Sequence, residues 1–197
     1  MNVEIVNTKI AYQGFFKIEK YRLRHSLFGG GMSADIEREM FRRGDSAGVL
    51  LYDPELDNVV LLEQFRIGAV EDPRGSWLFE IVAGMVEPGE TPQEVVRREA
   101  REEAGCAVEE LMPISTYYAS PGGSDERISL FCGKVDTRGL EGVFGVADES
   151  EDIKLHVASF EEAMSMVESG VIRAAMPILA LQWLALNKDK VLSLWTD

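Results

Sequence analysis

The chain has 197 residues, 46% of them apolar and 27% charged, which are ordinary proportions for a folded domain with one sizeable core. Its 34 acidic and 20 basic side chains leave a net charge of -14, which argues against nucleic acid or an anionic membrane as partner, since both recruit a surplus of Lys and Arg. Cys106 and Cys132 offer no disulfide framework and fit a reducing, cytoplasmic setting, the start MNVEIVNTKI lacks the features of a signal peptide, and the longest near-apolar run, 174–186, is too short to span a bilayer.

In chain order, residues 1–45 carry strand patterning. Tyr21, Leu23, His25 and Leu27 alternate with polar neighbours, and Phe28-Gly29-Gly30-Gly31-Met32 interrupts them before a second run through Ile36 and Met40. This predicts a long hairpin with the glycines at its turn and His25 on its surface. A lone hairpin is marginal, so it needs the main domain or another chain to pack on. Gly44-Asp45-Ser46 marks a boundary between an N-terminal region, 1–45, and a main domain, 46–197. Strands are expected at 47–52 and 58–67 around the turn Asp53-Pro54-Glu55-Leu56-Asp57, and at 77–83 after the turn Asp72-Pro73-Arg74-Gly75. Further strands are expected at 111–119 and 127–135, and along Ile153, Leu155 and Val157, with His156 on the outer side. Helices are expected at 160–169, stopped by Gly170, and at 174–187, with Ile178, Leu181, Leu184 and Leu186 as core candidates. Strands mixed with three helices indicate an α+β class or a mixed α/β sandwich.

The most informative stretch is 84–106, GMVEPGETPQEVVRREAREEAGC. Thr91-Pro92-Gln93-Glu94 is a capping box with proline at the first helical position, and Gly105 supplies the stop, so a helix runs from about Pro92 to Ala104. Glu99, Glu102 and Glu103 stack within a little over one turn. Val95, Val96 and Ala100 project beside Glu99 and Glu103, so these acids do not sit on a clean polar face. Like charges so placed cost a few tenths of a kcal/mol in water and more when partly buried, and something positive must offset that. Either Arg97, Arg98 and Arg101 pair with the glutamates, or the carboxylates hold a hard cation, for which Mg²⁺ suits a site shared with substrate phosphates. The chain has two histidines, neither in a motif, and no nucleophilic serine or cysteine in a recognisable setting. A general base would therefore be a carboxylate, and hydrolysis of a phosphoanhydride is the reaction these parts support.

Gly84, then Glu90, then Arg98-Glu99-Ala100-Arg101-Glu102-Glu103-Ala104-Gly105, closely resembles the Nudix hydrolase box. Leu62-Glu63-Gln64-Phe65-Arg66, Phe79-Glu80-Ile81-Val82-Ala83-Gly84 and Ser120-Pro121-Gly122-Gly123 are similar to the ADP-ribose pyrophosphatase branch of that family. The resemblance implies an α+β Nudix fold, a mixed β-sheet sandwiched between helices, with an N-terminal β-hairpin extension exchanged in a homodimer. It implies that Glu99, Glu103 and the Ala83 carbonyl hold Mg²⁺, for which Mn²⁺ is a possible substitute, with Glu102 as a further acid of the cluster. Glu149 matches the base that activates water, and Glu151 could substitute for it or hold a metal. Phe15 and Arg38 resemble contacts to the adenosine end and Arg66 a phosphate contact, while Met85, Ser120, Gly122 and Glu126 fall in loops that approach substrate. The implied reaction is cleavage of ADP-ribose to AMP and ribose 5-phosphate. Hydrolysis of GDP-mannose or another nucleoside-diphosphate sugar is the nearest alternative, and a non-catalytic nucleotide sensor is a third. Ala100 and Cys106 stand where the family often has bulkier aliphatics.

Overall fold

Local sequence chemistry sets most of the elements in the computed structural model, which describes residues 1–146 and 150–195. By internal contacts the chain divides into two compact units, Met1–Asp45 with Tyr117–Ile128, and Ser46–Thr116 with Ser129–Asp197.

The first unit is built on a three-stranded antiparallel sheet in the order β1 (Val3–Gln13), β2 (Lys17–His25), β3 (Ile36–Arg42). The expected hairpin is therefore β2–β3, and a further strand precedes it. Turn-like Gly14 and the aromatic pair Phe15-Phe16 separate β1 from β2. Two register shifts, between Ile5 and Asn7 and between Ile10 and Tyr12, bend β1. The first keeps Val3, Ile5, Thr8 and Ile10 on one face, opposite His25, Leu23, Tyr21 and Glu19; without that bulge, residues five apart would point to opposite sides. The reverse face pairs Glu4, Asn7 and Lys9 with Arg24, Arg22 and Lys20. Every residue of β1 is exposed in the single chain.

The second unit holds most of an eight-stranded sheet ordered β10 (Val143–Phe144), β11 (Ile153–Ser159), β5 (Asn58–Phe65), β4 (Asp45–Asp53), β9 (Arg127–Lys134), β8 (Leu111–Tyr118), with β6 (Trp77–Glu80) on β5 and β7 (Val82–Met85) on β4. The single strand expected at 77–83 is thus two. The chain changes partner at Ile81, which is buried next to buried Val82 and breaks the alternation.

Ala47, Val49 and Leu51 of β4, with Val60 and Leu62 of β5 and Val82 of β7, pack against Val95, Val96, Ala100 and Ala104 of helix α1 (Pro92–Ala104). Burying each such valine contributes about 1.5–3 kcal/mol. Helices α2 (Phe160–Glu168) and α3 (Ala175–Trp195) lie against β11, β5 and β6, so the sheet is sandwiched between helices. Helix α3 runs on to Trp195, past the expected end. Leu181 and Leu184 are fully buried, whereas Leu186, expected in the core, is 86% exposed. His156 is not a free surface residue: its Nε2 lies 2.9 Å from Glu63 Oε2, and its ring meets Phe79 edge-on at 5.1 Å. No helix among the described residues is long and apolar enough to cross a membrane.

Candidate active site

Helix α1 begins and ends where its caps dictate. Thr91 accepts from the Glu94 amide while the Glu94 carboxylate accepts from that of Thr91, Pro92 opens the helix, and Gly105 closes it with a left-handed φ of 63°. The helix is thereby held against β7, and two of its acids turn inward with its valines. Glu103 is only 3% exposed, and its Oε2 accepts from the Ala83 amide at 3.0 Å. Glu99 projects over Gly84, where a Cβ would overlap its carboxylate and sit 2.7 Å from its Cγ. The glycine that begins the box is therefore the space that Glu99 fills.

Burial decides the electrostatics. Desolvation pushes the Glu103 carboxyl up to about 8 against the opposing Ala83 hydrogen bond, with the charges of Glu99 and Glu151 adding to the rise. Desolvation likewise pushes Glu99 up to about 7, although Arg98 works in the other direction. Arg98 is the hub of the exposed side: it donates to both oxygens of Glu90 at 3.1 and 3.2 Å, to Glu99 at 2.7 Å and to Glu102 at 3.1 Å. Of the three arginines weighed as partners of the acids, Arg98 takes that role, whereas Arg97 instead donates to the Val108 carbonyl.

Among the described residues, no three acidic, histidine or cysteine side chains converge on one point. Arg98 draws Glu99 and Glu102 toward itself, and Glu103 is spent on the Ala83 amide. Glu149, the residue matched to the base, lies outside the described residues, as does the rest of 147–149. The remaining donors nevertheless fit a hard divalent cation. Arg98 reaches Glu99 but not buried Glu103, whose carboxyl burial pushes up to about 8, and a divalent cation held by oxygen ligands would stabilise the ionised form of both acids.

Other expected residues gather round this cluster. Glu151 raises both Glu99 and Glu103 by its charge, and its Oε2 accepts from the Val146 amide at 3.1 Å. Arg66 lowers Glu103 by its charge, and is held by Glu80, whose Oε2 it reaches at 2.7 and 2.8 Å through Nη2 and Nε. Glu80 also accepts from Gln64 at 3.3 Å. Glu80 lies in the stretch Phe79-Glu80-Ile81-Val82-Ala83-Gly84, and that motif is the only trace in the sequence of its hold on Arg66. Met85 ends β7, half-exposed.

The other expected contacts lie in the first unit. Phe15 is 90% exposed in the β1–β2 turn, and it stacks edge-on with Phe16 at 4.8 Å. Arg38 is exposed on β3, donating to the Glu37 carbonyl. Ser120, Gly122 and Glu126 sit in the loop between β8 and β9. The Ser120 carbonyl accepts from the amides of Gly123 at 3.2 Å and Ser124 at 2.9 Å, and Glu126 lies 3.6 Å from Arg43.

The fold and its acidic helix, taken with the family and relatives that the chain matches, give the class, a phosphoanhydride hydrolase. The chain belongs to the NUDIX domain family, whose pattern matches residues 42–176. It is 47% identical to an ADP-ribose pyrophosphatase of Escherichia coli K12 over 98% of this chain and 93% of that one. It is 42% identical to an ADP-ribose pyrophosphatase of Haemophilus influenzae over 98% and 91%, and 37% identical to a GDP-mannose pyrophosphatase of Cronobacter sakazakii over 95% and 97%. A crystal structure of an ADP compounds hydrolase shares the fold with a TM-score of 0.72 at 19% identity, covering 96% of each chain.

Proposed function

We propose that the chain hydrolyses the diphosphate of ADP-ribose to AMP and ribose 5-phosphate, using a divalent cation of which Mg²⁺ is the expected form and Mn²⁺ a substitute. The observation that carries this reading is the pair of inward-turned carboxylates, buried Glu103 and half-buried Glu99, folded against β7, of which only Glu99 is in contact with an arginine. The relatives that bear the name ADP-ribose pyrophosphatase are 47% and 42% identical over 98% of the chain, against 37% over 95% for the GDP-mannose relative, which supports this substrate.

Glu99 and Glu103, with the Ala83 carbonyl, would hold the cation, and Glu102 would serve as a further acid. A bound divalent cation withdraws charge from phosphate oxygens and eases departure of the leaving phosphate. Glu149, or Glu151 in its place, takes a proton from the water whose oxygen forms the new bond to phosphorus; the bridging P–O bond breaks, leaving one phosphate on each product. Arg66, held on Glu80 through Nε and Nη2, would bring its positive charge to the diphosphate. Phe15, Arg38, Met85, Ser120, Gly122 and Glu126 are assigned to substrate contact.

The same reading includes a homodimer formed through the N-terminal sheet, because β1 leaves an apolar face of Val3, Ile5 and Ile10 exposed in the single chain. It also includes a reducing compartment, supported by two unpaired thiols, of which Cys132 is buried.

The test is incubation with ADP-ribose and Mg²⁺, then with a chelator in excess. AMP is expected with metal and none after chelation; absence of AMP with metal removes the reading. The 37% identity to a GDP-mannose pyrophosphatase favours one second reading, a nucleoside-diphosphate-sugar pyrophosphatase. Initial rates on ADP-ribose and GDP-mannose side by side separate the two.

A further inference from the structure

The loop between β8 and β9 is tied to the N-terminal strands by a charged clamp that no expected role accounts for. Arg42, at the end of β3, donates through Nη1 to Asp125 Oδ2 at 2.8 Å, through Nε to Glu19 Oε2 at 2.7 Å and through Nη2 to the Tyr21 hydroxyl oxygen at 2.7 Å. The other oxygen of Asp125 accepts from the amides of Arg43 at 2.7 Å and Gly44 at 3.2 Å. Glu19 is 9% exposed and takes two more partners, Lys17 at 2.7 Å and the Tyr21 hydroxyl at 2.7 Å.

The backbone follows the clamp. The Phe41 amide donates to the Gly123 carbonyl at 2.8 Å, that of Asp125 donates to the Phe41 carbonyl at 3.3 Å, and Phe41 bridges Ser124 in parallel. Every arm belongs to the first unit. Four charged side chains, Lys17, Glu19, Arg42 and Asp125, thus neutralise one another in a network whose carboxylates are satisfied. Lys17 first, then Tyr21 and Arg42, hold the Glu19 carboxyl down to about 2. Burial raises Asp125, but Arg42 and the two amides outweigh it, so its carboxyl lies below the ordinary range.

A surface loop rich in glycine, Ser120-Pro121-Gly122-Gly123-Ser124, would otherwise sample many conformations, and ordering it costs conformational entropy. A binding loop that is already ordered spares the ligand that cost. We propose that Arg42 and Asp125 are positioning residues that hold the 120–126 loop in its substrate-binding form. The proposal rests on the ADP-ribose reading, through Ser120, Gly122 and Glu126. Neither residue touches substrate; they act on how tightly it binds, not on the chemical step.

The experiment is a double-mutant cycle on the full-length protein with ADP-ribose and Mg²⁺. Asp125→Asn keeps an acceptor for the Arg43 and Gly44 amides and turns an amide NH2 toward Arg42. Arg42→Met breaks the same arm from the other side, and Arg42→Lys restores charge without the fork. Each of Asp125→Asn and Arg42→Met is expected to raise KM about tenfold with kcat within about twofold. The double variant should be no worse than the poorer single, and Arg42→Lys should recover part of KM. A fall in kcat at unchanged KM, or single effects that multiply in the double variant, overturns the proposal. Should the wild type not cleave ADP-ribose, the functional reading fails by itself. The clamp is then judged by hydrogen exchange: faster exchange at Phe41, Gly123 and Ser124 in Asp125→Asn supports it, and unchanged exchange overturns it.

Discussion

Gly84 and Glu99 compete for one volume. The carboxylate of Glu99 lies where a side chain on residue 84 would begin, with its Cγ 2.7 Å from the position of a Cβ there. The inward turn of the acid and the absence of a side chain on the strand are one structural fact.

Gly84→Ala is therefore expected to drive Glu99 out of its place. Overpacking of this kind costs about 1–3 kcal/mol, and the larger effect should fall on the metal requirement. The Mg²⁺ concentration for half-maximal ADP-ribose hydrolysis should rise at least about tenfold, which is about 1.4 kcal/mol of lost affinity. A Mg²⁺ titration matching the wild type would contradict the placement of Glu99.

Glu103→Gln keeps an oxygen to accept the Ala83 amide and removes the buried charge. At pH 9, where the wild-type carboxyl with its value of about 8 is ionised, urea unfolding of the metal-free variant should show stability equal to or above that of the wild type, because a buried carboxylate is gone. Turnover should fall by about a thousandfold, equivalent to about 4 kcal/mol of barrier. Near-normal turnover would remove Glu103 from the metal site.

The pH response has a definite sign. Burial raises the folded-state carboxyls of Glu99 to about 7 and Glu103 to about 8, from an ordinary 4.5. The folded chain therefore holds more protons than the unfolded one between those limits. The stability these two groups contribute is complete below about 4.5 and is lost as pH rises through about 7 and 8. A cation bound by the ionised forms reverses the loss. The rise in Tm on adding Mg²⁺ should thus be small at pH 5.5 and grow toward pH 8.5, measured by thermal unfolding with and without chelator. A metal-induced rise that is the same at both ends speaks against the site.

Stability away from the site has its own probe in Asp53 and Thr137, which are 2% and 4% exposed. Asp53 Oδ2 accepts from both the amide and the hydroxyl of Thr137 at 2.8 Å. Thr137→Val removes one donor from a buried carboxylate and should cost about 1–3 kcal/mol in urea unfolding, with kcat unchanged. A cost below about 0.5 kcal/mol would mean that water replaces the hydroxyl.

The proposed dimer is tested on β1. Ile10→Glu places a charge in the apolar face that Ile10 shares with Val3, Ile5 and Thr8. Sedimentation equilibrium should show twice the chain mass for the wild type and a monomer for the variant. A monomeric wild type, or a variant that stays dimeric, rules out this face as the interface.

Helix α1 was legible to the residue, because a cap, a proline and a left-handed glycine act within a turn of where they stand. The inward lean of Glu99 and Glu103 could be read from the same stretch, since helical spacing puts them beside Val95, Val96 and Ala100. Partners far apart in the chain could not be read in this way. Alternation alone did not reveal that β1 is a third strand with two bulges, nor that 77–83 changes partner at Ile81, because a period of two says which face a residue takes but not which strand lies beside it. Glu80 on Arg66, 14 residues apart, and Asp125 on Arg42, 83 residues apart, were likewise decided by sheet register and loop closure. Residue type and spacing thus determined the acidic helix and its chemistry. Tertiary packing alone decided how deeply each acid is desolvated and which arginine answers it, because burial and charge pairing depend on neighbours that only the closed fold supplies.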